Sequence, residues 1–201
     1  MKEIVFATNN RHKLEEIKSI LAADFNISGL EEKGIYEEIP EDHLTLEENA
    51  FQKAEFIFHG FGFNCFADDT GLEIDALGGE PGVFSARYSR IGTPVFKDMN
   101  VTEGNIRKVL ELLEKQDNRK ARFRTVIALI LDGKSYYFEG IIEGNITEKP
   151  CGGKGFGYDP IFLPKGYDQS FAEMNLEEKN RISHRAIAVS KLADFLNHLK
   201  L

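Results

Sequence analysis

"ARFRTVIALILDGKSYYFEGIIEGNI", residues 121–146, decides the fold class. Two runs rich in β-branched and aromatic residues flank Asp132-Gly133, a dipeptide that supplies the positive φ angles of a two-residue hairpin turn. The runs are therefore read as two long antiparallel strands. Far upstream, "EIVFA" (3–7) reads as a short buried strand, and Leu14, Ile17 and Leu21 recur after it at helical spacing. A chain that opens strand, turn, helix and also carries a long hairpin is not a strict βαβ repeat. The expectation is an α/β protein with a mixed sheet and helices on its faces.

Outward from the hairpin, a helix from about 46 to 59 buries Leu46, Ala50, Ala54 and Ile57 and ends in "HGFGFN". "TEGNIRKVLELLEKQ" (102–116) reads as a helix capped by Thr102, with Ile106, Val109, Leu110 and Leu113 inward. Residues 149–168 read as loop with a short apolar piece at 161–163. A last helix, capped by Ser183, turns Ala188, Leu192, Phe195, Leu196 and Leu199 inward. No linker or composition shift interrupts the chain, so residues 1–201 are read as a single domain.

A chain of 201 residues can bury a sizeable core without metal or disulfide staples. Charged residues at 29% and hydrophobic ones at 42% exclude a disordered or fibrous chain. The formal charge of −8 argues against nucleic acid and anionic membranes as partners, because both need a positive field. An anionic ligand must then be held by a few local Lys and Arg residues. The start, "MKEIVFATNN", has neither the length of a membrane span nor a cleavage pattern. Cys65 and Cys151 lack metal-ligand spacing and suit a reducing compartment, so a cytoplasmic protein is expected.

Four loops point at chemistry. Asp68 and Asp69 follow Cys65, Phe66 and Ala67, where the buried strand is expected to end. Together with Glu37, Glu38, Glu41 and Asp42 they offer oxygen ligands of the kind that hold Mg²⁺ beside a phosphate. Extended residues alternate faces, so the pair can meet one ion only if the strand has stopped. In "TNNRHK" (8–13), a strand-to-helix turn whose amides Thr8, Asn9 or Asn10 would cap, Arg11, His12 and Lys13 crowd a helix N-terminus, which suits a phosphate. "ISHRA" puts His184 and Arg185 in the first turn of the last helix, where cations are unfavourable unless an anion offsets them. In "GGKGFGYDP", glycines let backbone approach a ligand and an aromatic ring can stack on a flat base. Each loop alone also has a plain structural reading as a solvated turn, an acidic surface or aromatics packed back on the core.

The combination is more specific than its parts. "FATNNRHKLEEI" (6–17), "FADDTGLEIDALGGEPGVFSARY" (66–88), "GFGYDPIF" (155–162) and "EKNRISHRA" (178–186) resemble, in order, the inosine triphosphate pyrophosphatase family of non-canonical purine nucleoside triphosphate pyrophosphatases. The resemblance implies Mg²⁺-dependent hydrolysis of ITP, dITP and XTP to the monophosphate and pyrophosphate. It also implies an elongated mixed sheet, two lobes around a central cleft, and a homodimer. Carried over by residue, the triphosphate loop is Thr8, Asn9, Asn10, Arg11, His12 and Lys13. The metal glutamate falls on Glu41, with Glu38 as a nearby alternative. The catalytic aspartate is Asp69, a metal ligand together with Asp68, followed by Thr70 where serine is frequent. Phe156, Gly157, Tyr158 and Asp159 fall on the base side, and Lys179, His184 and Arg185 complete the pocket. Arg90 stands where the family commonly has glycine. On this basis Asp69 is the expected general base toward water attacking the α-phosphorus, and His184 and Arg185 are expected to favour a purine 6-carbonyl. The related Maf-like pyrophosphatases and a silent nucleotide sensor are the alternatives. The "SHR" and "GFGYDP" motifs argue against the first, and Lys13, Glu41, Asp68 and Asp69 against the second.

Overall fold

The computed structural model describes residues 3–21, 25–92, 96 and 98–199; Met1 and Lys2, where the reading of the N-terminus begins, lie outside these. The elements in order are β1 (Glu3–Phe6), α1 (Arg11–Leu21), β2 (Asn26–Gly29), α2 (Leu46–Phe61), β3 (Cys65–Ile74), β4 (Pro81–Gly82), α3 (Val101–Leu112), β5 (Lys120–Leu131), β6 (Lys134–Ile146), β7 (Phe162–Pro164), α4 (Leu176–Ile182) and α5 (His184–His198). The strands form one sheet in the order β2-β1-β3-β5-β6-β7, with β4 beside β3. β1 pairs in parallel with β2 and β3, whereas the β3–β4 and β6–β7 pairs are antiparallel. The mixed sheet is therefore as expected. Asp132 and Gly133, at φ 49° and 77°, make the turn between β5 and β6.

The chain divides into two compact units. One holds the residues up to Asp69, Thr125–Ile141 and those from Ser183 on; the other holds Thr70–Arg124 and Ile142–Ile182. In the first, Phe6, Phe66, Ile127 and Leu129 share a core cluster with Ile17 and Leu21 of α1 and Val189, Leu192 and Leu196 of α5. Cys65, on the opposite side of β3 from Phe66, donates from Sγ to the Ala54 carbonyl of α2 at 3.1 Å. Helices thus cover both faces, which is why every residue of β5 from Thr125 to Leu131 is buried. Burial also pushes the Cys65 thiol up to about 12, so it is an inert core group. A Cβ on Gly140 of β6 would stand 2.0 Å from the His184 carbonyl, so only glycine lets the first turn of α5 lie this close to the strand. In the second unit, Leu72, Phe123, Tyr158, Phe162 and Phe171 form the core with Ile106 and Val109 of α3.

Three local expectations are corrected. β3 does not end at Asp68 but runs on to Ile74, because Leu72 and Glu73 pair with Gly82 and Pro81. The cap of α3 is Asn100, whose side chain accepts the Thr102 N–H at 2.9 Å, not Thr102 itself. Leu199 lies beyond the last turn of α5 and is exposed. Among the described residues no helix is long and apolar enough to cross a membrane.

Candidate active site

The turn after β1 is fixed by its own side chains. Thr8 Oγ1 accepts the Asn10 N–H at 3.2 Å, and Asn10 Oδ1 accepts the N–H groups of His12 and Lys13 at 3.0 and 3.3 Å. Asn10 is thus the residue that caps α1. Asn9, Asn10, Arg11 and His12 stay exposed, and Arg11 makes a surface pair with Glu31. Lys13 alone turns inward, its Nζ 2.9 Å from Asp68 Oδ1.

Because β3 is still extended at Asp68 and Asp69, the two carboxylates take different neighbours. Asp68 has both oxygens engaged, Oδ1 by Lys13 and Oδ2 by Arg185 Nε at 3.3 Å. Arg185 also reaches Glu16 of α1 through Nη1. The cation that the sequence places in the first turn of α5 is therefore offset by two buried carboxylates of the protein. Ser183 caps that turn by accepting the Ala186 N–H at 3.1 Å. Burial acts to raise the Asp68 pKa, but Lys13, Arg185 and Lys53 outweigh it and hold the carboxyl well below its usual range.

Asp69 behaves in the opposite way. Its Oδ1 lies 3.5 Å from Lys53 Nζ and its Oδ2 accepts from Asn49 Nδ2 at 3.2 Å. Burial raises its pKa, and the repulsion of Glu41 and Asp68 adds to that, so the attraction of Lys53 and Lys13 does not restore the ordinary value. Lys53 Nζ also sits 2.6 Å from Glu41 Oε1. Burial works against its charge, yet Asp69 and Glu41 raise its pKa above that of a free lysine. Lys13, by contrast, has its pKa lowered by burial, which the attraction of Asp68 does not fully offset.

Among the described residues no three His, Cys, Asp or Glu side chains are grouped to hold a metal by themselves. Mg²⁺ does not need three, since one or two carboxylates with water and substrate phosphate suffice. Glu41 and Asp69 fit that requirement, being hard oxygen donors that converge on one cation, Lys53 Nζ. Glu38 is exposed, and Asp42 pairs with Gln52. Asp68 already has one cation on each oxygen, so a metal there would share those oxygens with Lys13 and Arg185.

The second unit holds the glycine-rich loop. Asp159 Oδ2 accepts the Phe156 N–H and pairs with Lys179 Nζ, both at 2.8 Å, and Lys179 lies 4.7 Å from the centre of the Phe156 ring. A Cβ on Gly155 would stand 2.1 Å from the same Asp159 Oδ2, which is why glycine occupies this position at φ 73°. Tyr158 is core: its hydroxyl donates to the Ser85 carbonyl at 2.9 Å. Phe156 and Gly157 remain partly exposed, as does Thr70, while His184 in the first unit is buried.

Sequence reasoning misses Glu16, Asn49 and Lys53. A signal exists in "LEENAFQKA" (46–54): Asn49 and Lys53 are four apart and fall on the face of Leu46, Ala50 and Ala54, where polar residues need buried partners.

Known proteins match the chain over nearly its whole length. The model of the Ham1 family matches residues 4–195. The chain is 54% identical over 197 residues to a dITP/XTP pyrophosphatase of Porphyromonas gingivalis, covering 98% of each, and 44% identical over 200 residues to that of Bacillus subtilis, again covering 98% of each. Its structure resembles the Ham1 protein of Staphylococcus aureus with a TM-score of 0.85 at 38% identity, covering 98% of this chain and 99% of that one. With the family pattern matched over nearly its whole length, the chain belongs to the Ham1 family.

Proposed function

We propose that this protein hydrolyses the α–β phosphoanhydride bond of non-canonical purine nucleoside triphosphates, dITP, XTP and ITP, releasing the monophosphate and pyrophosphate in a Mg²⁺-dependent reaction. The observation that carries the reading is the division of labour between adjacent carboxylates. Asp68 is locked ionised between Lys13 and Arg185, whereas Asp69 has a raised pKa and shares Lys53 with Glu41. Asp68 being held between two cations, Asp69 is the carboxylate of the pair assigned to take the proton from water. The names of the relatives support the substrate class.

In this reading Asp69 takes a proton from water as the water oxygen bonds to the α-phosphorus and the bond to the bridging oxygen breaks. Lys13 faces the phosphates and offsets charge on the departing pyrophosphate. Glu41 and Asp69 would hold Mg²⁺, which would supply charge neutralisation on the phosphate oxygens and keep Asp69 ionised. Phe156 and Gly157, partly exposed beside the buried Tyr158 and Asp159, are assigned to the base. The reading includes a cytoplasmic homodimer; sedimentation velocity checks the dimer.

The test is hydrolysis of a panel of triphosphates in ¹⁸O-labelled water, with Mg²⁺ and after chelation. Label in the monophosphate, and activity on dITP and XTP that chelation abolishes, are the expected results. Label in pyrophosphate would place the attack on the β-phosphorus and overturn the proposal.

Lys13→Ala is expected to raise KM for dITP roughly tenfold or more, about 1.4 kcal/mol of binding, with a smaller change in kcat. A lysine that meets phosphate in both ground and transition states contributes uniform binding. An unchanged KM would remove Lys13 from the phosphate site.

A further inference from the structure

We propose that Asn49 is a positioning residue for hydrolysis, holding the loop that carries Glu41 in register with Asp69; the inference rests on the pyrophosphatase reading above. Asn49 is 1% exposed and lies on the inner face of α2, one turn before Lys53. Its Oδ1 accepts the His43 N–H at 2.9 Å. Its Nδ2 donates to the His43 carbonyl and to Asp69 Oδ2, each at 3.2 Å. The pattern also fixes the orientation of the amide, since only the NH₂ group can face a carbonyl and a carboxylate together.

One side chain therefore ties together the two segments that bring Glu41 and Asp69 to Lys53. His43 is two residues beyond Glu41, so clamping both of its backbone groups sets how the loop enters α2. The third bond fixes the Asp69 oxygen opposite the one that faces Lys53. A primary amide is the side chain that offers an acceptor and two donors in one plane; serine lacks a second donor and aspartate lacks both. Reactions that depend on placement lose roughly 10²-fold when a reacting group shifts by about 1 Å.

The experiment compares wild type, Asn49→Ala and Asn49→Asp, measuring kcat and KM for dITP at saturating Mg²⁺ and hydrogen exchange at the His43 amide without substrate or metal. In both variants kcat should fall roughly 10- to 10²-fold with KM little changed. Exchange at His43 should quicken in Asn49→Ala but stay slow in Asn49→Asp, which keeps the acceptor. Asn49→Asp, of nearly the same volume, carries the test if Asn49→Ala does not fold. Variants with kcat within threefold of an active wild type, or the same His43 exchange in all three proteins, would overturn the role of Asn49 alone. A wild type that releases no pyrophosphate from dITP, XTP or ITP would overturn the underlying function as well.

Discussion

Asp69→Asn is expected to lower kcat for dITP by roughly 10²- to 10⁴-fold, the usual contribution of a general base, while the protein melts close to wild type. The two halves of this expectation have one cause. Burial makes it costly for Asp69 to be charged, so replacing the carboxylate with a neutral amide of the same shape removes an unfavourable charge. The new amide oxygen can still accept from Asn49 Nδ2, and Lys53 retains Glu41. Catalysis has no such substitute, because an amide neither takes a proton near neutral pH nor serves Mg²⁺ as a carboxylate does. Pyrophosphate release at saturating dITP beside a thermal melt measures both. Turnover within tenfold of wild type would remove Asp69 as the base.

The sequence shows the sheet class and hides the wiring of the site, for physical reasons. Asp132-Gly133 between two strand patterns identifies the hairpin because backbone geometry at two residues dictates it. The length of β3 is not legible in the same way. Its extension past the aspartates depends on pairing with Gly82 and Pro81, a contact between strands that no local pattern encodes. The same extension gives Asp68 and Asp69 different nearest partners, Lys13 and Arg185 for the first and Lys53 and Asn49 for the second. Arg185 is legible as an anomaly, a cation at a helix N-terminus, but its partners Asp68 and Glu16 are 117 and 169 residues away along the chain. Lys53 and Asn49 are concealed by α2, whose alanines make that face read as core.

Those distant partners make Arg185→Met the substitution with the largest expected effect on stability. Methionine fills much of the space of the arginine stem but leaves Asp68 and Glu16 buried without their shared cation. Breaking a buried charge pair from one side costs about 3–5 kcal/mol, since the remaining charge has lost its compensation. For a chain of this size that corresponds to a fall in melting temperature of roughly 6–20 °C. The effect should depend on pH with a definite sign. Asp68 has a folded pKa below its unfolded one, so its contribution to stability is present above the ordinary carboxylate range and is lost as pH falls toward the folded value. Removing Arg185 takes away one of the cations that depress this pKa, so in the variant Asp68, still paired with Lys13, takes up its proton at a higher pH and its buried charge is relieved there. The stability gap between wild type and variant should therefore be widest near neutral pH and should narrow in acid, as denaturant unfolding at pH values either side of about 4 would show. Because Arg185 is engaged by Asp68 and Glu16, whatever activity the variant keeps should fall to a similar degree on dITP and ATP. A loss confined to dITP would instead place the guanidinium against the purine 6-carbonyl, and a variant that melts with wild type at neutral pH would show that the Asp68 and Glu16 pairs contribute nothing net to the fold.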